Sequence, residues 1–357
     1  MKDVLKILRD ICLQIDSNRK VLDDITCLEY SKKYHVYHND TITHYHKLHF
    51  INLYVNTKII PVYIPGNVLK FNPGCIVMHS NATFSYNITY DDDTIIMVYR
   101  TQDSKRLNSE MIRVAIDCIT MQLSDNSPTD VFSVQQREDP RLFVFEKDVW
   151  ASYTLLGKSK VGGCGFFTQI ACAPLLTTEP LKETRDVREK VFSMRDVEKN
   201  WIFFEWLEKG LWCIYNHHPL VIYKVTHPIC SDNTLGPIQM NWTWKLSQTG
   251  LVLRGGAPPV LPPGSDRYYV FIHSSIYDVY VLTVSIHNLK PMGFTEMPII
   301  AAKCLGKSVV FPCGALYNTM NDQFTISMGI DDRVVAFAQF GRKLLDACIT
   351  PVQVKLN

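Results

Sequence analysis

The sequence has no C-x-x-C pair, no unbroken apolar run of bilayer length and almost no net charge. Each absence removes a class of function. Eleven cysteines at irregular spacing cannot all pair with one another, and they form no zinc-ribbon or thioredoxin-type signature. They read instead as reduced, mostly buried thiols. The uncharged stretch 161–178 is interrupted by Gly162, Gly163, Gly165 and Pro174 and does not make a membrane helix. Lys2, Asp3, Lys6, Arg9 and Asp10 occupy the place where a secretion signal needs an apolar centre. The basic residues, 37 against 35 acidic, are scattered and draw no stripe that could track a nucleic-acid backbone. The expectation is a cytoplasmic protein that engages neither membrane nor nucleic acid. The sequons at Asn39, Asn81, Asn87 and Asn241 then carry no glycan. A phosphate loop is also missing, because Gly157-Lys158-Ser159 lacks the glycine five residues earlier, where Ser152 stands.

What the chain does have begins with a helical pattern. Val4, Leu5, Leu8, Ile11, Cys12 and Ile15 recur at helical spacing, which predicts an amphipathic α-helical extension over residues 1–30. Its apolar stripe is the only feature suggesting a homo-oligomer contact. From Tyr34 onward the pattern turns to short β-type runs punctuated by Asn, Asp, Gly and Pro. His35, His38, His44, His46 and His49 crowd into the start of this region, where His44 and His46 would share a strand face. A third metal ligand is not indicated, and a solvated strand is the plainer reading.

The β-rich region repeats. A polar or glycine corner, a strand, a turn and an aromatic strand recur from Phe71-Asn72-Pro73-Gly74, Glu138-Asp139-Pro140-Arg141, Lys199-Asn200-Trp201, Arg254-Gly255-Gly256 and Phe311-Pro312-Cys313-Gly314. Anchored on Asn72, Asp139, Asn200, Gly255 and Pro312, the intervals are 67, 61, 55 and 57 residues. That length suits a four-stranded blade, so the fold class expected over residues 31–350 is all-β, a five-bladed β-propeller. The first strand of each blade would line the channel and bring the five corners to one mouth. The charged stretch 173–199 reads as a surface excursion with a short helix.

Asp139, flanked by Arg137 and Arg141 and stiffened by Pro140, is the residue in this pattern best placed for acid catalysis. A structural Asp–Arg pair explains the same residues equally well. Tyr215, His218, Trp201 and Tyr317 offer faces for stacking on sugars, although aromatics on such strands are more often core.

The ordered corners, together with His273-Ser274 and Gly329-Ile330-Asp331-Asp332, resemble the successive motifs of glycoside hydrolase family 130 over roughly residues 70–340. That resemblance implies a glycosyl-transferring enzyme acting on β-mannosides, inverting, with inorganic phosphate or mannose 1-phosphate as co-substrate and no other cofactor or metal. It implies Asp139 as the general acid, with Arg141, Lys199 and Arg254 near the mannose or phosphate and Asp332 contacting the sugar. Asn200 shares the Lys199 motif, and His273 and Asn72 match strand ends. Phosphate as nucleophile needs a cationic cradle and no second carboxylate. Arg100, Arg141, Lys199 and Arg254 are candidates for it. A hydrolase would need a further carboxylate as base, for which Glu205 is the spare. A GDP-mannose-dependent β-mannosyltransferase, or a non-catalytic propeller binding glycans or proteins, remains open on the same residues.

Overall fold

The computed structural model describes residues 49–50, 52–54, 56–62, 70–78, 94–102, 109–124, 130–134, 137–158, 166–175, 180–181, 190–192, 198–207, 209–225, 235, 238–246 and 250–357. The expected helix within residues 1–30 and four of the five clustered histidines lie outside these. Among the described residues, no group of three His, Cys, Asp or Glu side chains is placed to hold a metal ion. No described helix is long and apolar enough to cross a membrane.

The architecture is an all-β propeller of five antiparallel sheets. Strand β1 (Lys58–Pro61) comes first in the chain and last in the ring. The first blade is β2 (Lys70–Met78), β3 (Thr94–Gln102), β4 (Ser109–Asp117) and β5 (Asp130–Val134). The second is β6 (Arg137–Phe145), β7 (Asp148–Lys158), β8 (Phe166–Pro174) and β9 (Lys190–Phe192). The third runs through β10 (Ile202–Glu205), β11 (Leu211–His217), β12 (Leu220–Lys224) and β13 (Ile238–Trp244). The fourth contains β14 (Leu253–Arg254), β15 (Arg267–Ser274), β16 (Val279–Ser285) and β17 (Pro291–Thr295). The fifth takes β18 (Val310–Asn318), β19 (Gln323–Ile330) and β20 (Val334–Gly341), and β1 completes it by pairing Lys58–Pro61 with Gln339–Ala336. The chain then doubles back. Strand β21 (Ile349–Pro351) adds to the edge of the fourth blade and β22 (Val354–Leu356) to that of the third.

The sheets close into a ring because the inner strands of the blades bury both faces. In β3, Ile96 and Val98 pack toward the second blade, whereas Ile95, Met97 and Tyr99 pack toward the fifth. In β6, Leu142 faces the first blade and Phe143 the third. A period-two strand buried on both sides therefore reads as a continuous apolar run such as Thr94-Ile95-Ile96-Met97-Val98-Tyr99. The five buried clusters fill the gaps between blades one and two, two and three, three and four, four and five, and five and one. That circuit of cores is the physical seal of the ring. Phe50 and Leu53, from a short helical turn before β1, plug the gap between the fourth and fifth blades.

The charged stretch 173–199 departs from expectation where it is described. Lys190–Phe192 is not part of a helical excursion but the outer strand of the second blade, with Val191 and Phe192 buried. The cysteines behave as expected where their side chains are described. Cys118, Cys172, Cys213, Cys313 and Cys348 are free thiols, four of them buried.

Candidate functional site at the mouth of the ring

Strands β2, β6, β10, β14 and β18 each begin at the same end of the ring, and the turns joining the second and third strands of the blades open there too. The mouth is built by irregularity. In β6 the pair Asp139-Pro140 opposes the single residue Tyr153, a β-bulge between the Glu138–Thr154 and Arg141–Ser152 pairs. In β2 the pair Pro73-Gly74 opposes Tyr99 in the same way, and β18 carries a bulge between Pro312 and Gly314. Proline cannot donate to the ladder, so each bulge falls where the sequence has one.

Asp139 takes φ +51° at its bulge, and Asn200 (φ +64°) and Asp332 (φ +53°) are also left-handed. Asp and Asn tolerate this region better than other side-chain-bearing residues. Left-handed residues at the site mark backbone held by its surroundings. Here the holder is Arg141. Its Nε donates to the Gly256 carbonyl at 2.7 Å, Nη1 to the Asp139 carbonyl at 3.0 Å, and Nη2 to Asn200 Oδ1 at 3.1 Å. Its guanidinium carbon lies 5.5 Å from the centre of the Phe311 ring. One side chain thus joins the second, third, fourth and fifth blades.

The other nominated residues sort by exposure. Arg100, buried at the end of β3, forms an ion pair with Glu138 across the gap between the first two blades. Arg137 is buried with its guanidinium 5.8 Å from the Tyr153 ring centre. Arg141 is 2% exposed. Lys199 and Arg254 are exposed. Of the four cations nominated for a phosphate cradle, these two alone face solvent. Asn72 pairs through its backbone with Arg100. Asp332 is half-buried in the β19–β20 turn on the mouth side, while its neighbour Asp331 accepts the Ser308 and Val309 N–H groups at 2.8 and 3.0 Å.

Two histidines complete the floor. His273 pairs with Arg254 across β14 and β15 and is wedged between Tyr277, stacked at 5.7 Å, and Phe311 at 4.6 Å. His217 ends β11, and extending the Ile202–Ile214 register places it opposite Lys199. That equivalence with His273 is the signal in the repeat that could have found His217. Glu138 and Glu198 were also missed as partners: Glu198 is buried, and its Oε2 accepts the Trp201 indole N–H at 3.1 Å. His217 Nε2 and His273 Nδ1 are buried without a hydrogen-bond partner among the described residues. Burial, then the positive charge of Arg141, pushes each imidazole down to about 3. Both are therefore neutral when folded. An unfolded chain takes up these protons below pH 6.5, so stability present above that value should drain away as pH falls toward 3. His217→Gln should flatten the fall of denaturation midpoint between pH 7 and 4. An unchanged slope would show that the ring takes up its proton in the fold as readily as in the unfolded chain.

Several expected contributors lie elsewhere. Trp201 is fully buried and edge-on to Tyr215 at 5.2 Å, so it is a core residue and not a sugar platform. Tyr317 packs on Phe324 at the far end of β18, away from the mouth. His218 does stay on the mouth side, in the β11–β12 turn, where its Nε2 is 2.8 Å from the Trp244 carbonyl and its ring is edge-on to the Trp244 indole at 4.7 Å. Glu205, the spare base for a hydrolase, ends β10 at the opposite face, where its Oε2 accepts the Glu146 N–H at 3.4 Å.

Solved structures share this architecture. A β-1,2-mannobiose phosphorylase from Listeria innocua, in complex with β-1,2-mannobiose, aligns with a TM-score of 0.51 at 11% identity, covering 81% of this chain and 96% of that one. A mannose phosphorylase from Leishmania mexicana, in complex with phosphate ion, gives 0.52 at 11% identity over 82% and 90%. A GDP-Man-dependent mannosyltransferase from the same organism gives 0.51 at 12% identity over 88% and 94%. No family model and no curated protein matches the sequence. The motif resemblance and the coordinates meet on one point, the fold: this chain is a five-bladed propeller of the kind these two phosphorylases and this mannosyltransferase share.

Proposed function

We propose that the protein is a β-mannoside-active glycosyl-transferring enzyme whose general acid is Asp139. The observation that carries this reading is the left-handed bulge that places Asp139 at the mouth, beside the Lys199-Asn200 and Arg254-Gly255 corners of the next two blades. In phosphorolysis the Asp139 carboxyl gives its proton to the glycosidic oxygen as the bond from that oxygen to C1 breaks. A phosphate oxygen lone pair forms the new bond to C1 from the opposite face, giving mannose 1-phosphate with inversion. Lys199 and Arg254 are the exposed cations available to hold the phosphate. Glu205, on the far face, is not placed to activate water, which weighs against hydrolysis.

The likeness to the GDP-Man-dependent enzyme is as close as that to the phosphorylases, so transfer from a sugar nucleotide is the second reading. The same two cations would then meet a diphosphate. Incubation with mannose 1-phosphate or with GDP-mannose, and a panel of mannoside acceptors, separates the two. Product from mannose 1-phosphate with release of inorganic phosphate is expected. Product from GDP-mannose alone would establish the transferase, and glycan binding with no product from either donor would leave a binding propeller.

A further inference from the structure

We infer that Arg141 is a positioning residue for the acid rather than a ligand of the substrate. The inference rests on the mannoside-transfer reading and gives Arg141 a different task from the one its motif suggests. A bulge leaves a backbone carbonyl outside the ladder, and here Arg141 Nη1 takes the carbonyl of Asp139 itself. The other two bonds, to Gly256 O and Asn200 Oδ1, fasten that guanidinium to the two blades that carry Arg254 and Lys199. The acid and the two exposed cations are thereby referenced to one rigid plane.

A buried guanidinium with no carboxylate partner among the described residues would ordinarily invite an anionic ligand. Three of its five N–H groups, however, are committed to fixed acceptors on three blades, and Phe311 covers its face. Lysine would keep the charge but not the planar fork, since one ammonium cannot serve three acceptors in these directions.

Arg141→Lys tests this through the leaving group. A sugar leaving group needs the proton of Asp139, whereas 2,4-dinitrophenolate departs without it. If Arg141 sets the acid, kcat for phosphorolysis of β-mannobiose should drop by about 10- to 100-fold. On 2,4-dinitrophenyl β-mannoside it should stay within about 3-fold, with the KM for phosphate unchanged on both. A raised phosphate KM with kcat preserved would make Arg141 a ligand and overturn the inference. Equal losses on both substrates, with a lowered melting temperature, would reduce it to a structural tie. Should Arg141→Lys fail to fold, Asn200→Gly removes one of the three bonds while tolerating φ +64°. It should show the same leaving-group dependence in smaller measure. A wild-type protein inactive on both mannosides sinks the mannoside reading itself, an outcome visible before any variant is compared.

Discussion

Asp139→Asn should slow phosphorolysis of a β-mannobiose by about 10²- to 10⁴-fold, the usual worth of a placed general acid, with the melting temperature essentially unchanged. Asparagine is nearly isosteric and accepts the left-handed region at least as readily as aspartate, so φ +51° survives. The carbonyl held by Arg141 belongs to the backbone and survives as well. Asp139→Ala makes the complementary case. It removes the same proton but also forces an alanine into the left-handed region, at a cost of about 1–2 kcal/mol. The two variants should be equally slow and unequally stable. Wild-type turnover in Asp139→Asn would remove Asp139 from the chemistry, whatever the alanine variant did.

The ring was readable from the chain because each blade advertises its start. Pro73-Gly74, Asp139-Pro140 and Pro312 interrupt apolar runs at positions where the ladder must be broken, and a broken ladder needs residues that cannot or need not pair. Three such breaks, with the Lys199-Asn200 and Arg254-Gly255 corners at the same blade-length spacing between them, have no simpler cause than a repeated sheet. The closure was not readable. Lys58-Ile59-Ile60-Pro61 is a four-residue edge strand with no local mark of its partner, and only the exposed edge of β20 at the other end of the chain gives it a place. The same holds for Lys190–Phe192, where charged neighbours hide three residues that the sheet nevertheless buries in part.

The candidate site was legible as residue types and illegible as roles. Arg100, Arg137, Arg141, Lys199 and Arg254 look alike in a sequence, since charge and length say nothing about direction. The fold decides: Arg100 meets Glu138, Arg137 meets Tyr153, Arg141 meets three blades, and two cations are left for solvent. Residues two apart on a strand point the same way and neighbours point oppositely, yet the one-residue bulge at Asp139 reverses that parity within Arg137–Arg141. Local pattern therefore misjudges which arginine is free. Glu205 failed for a simpler reason, since the far end of β10 is as close in sequence to the Asn200 corner as a residue on the mouth would be.

Gly255→Ala should be among the most damaging single substitutions in the protein, and its damage should reach Asp139. A Cβ at Gly255 would stand 1.9 Å from the Asn200 carbonyl oxygen and 2.9 Å from its carbonyl carbon. Backbone atoms cannot swing aside as a flexible side chain would, so the corner at Asn200 must move. Overpacking of this kind costs on the order of 1–3 kcal/mol, more where backbone must shift. Asn200 Oδ1 is bonded to Arg141, and Arg141 to the Asp139 carbonyl, so the displacement propagates along two hydrogen bonds to the bulge. Denaturant midpoint and kcat should therefore fall together. Gly250→Ala supplies the contrast: its φ of +81° carries a backbone penalty that Gly255 does not have, about 1–2 kcal/mol, but no atom of the described residues lies within 4 Å of the added methyl. That variant should lose a little stability and no turnover. If Gly255→Ala matched Gly250→Ala in both measurements, the Asn200 corner would have to be free to yield, and the mouth could not be the rigid assembly that places Asp139.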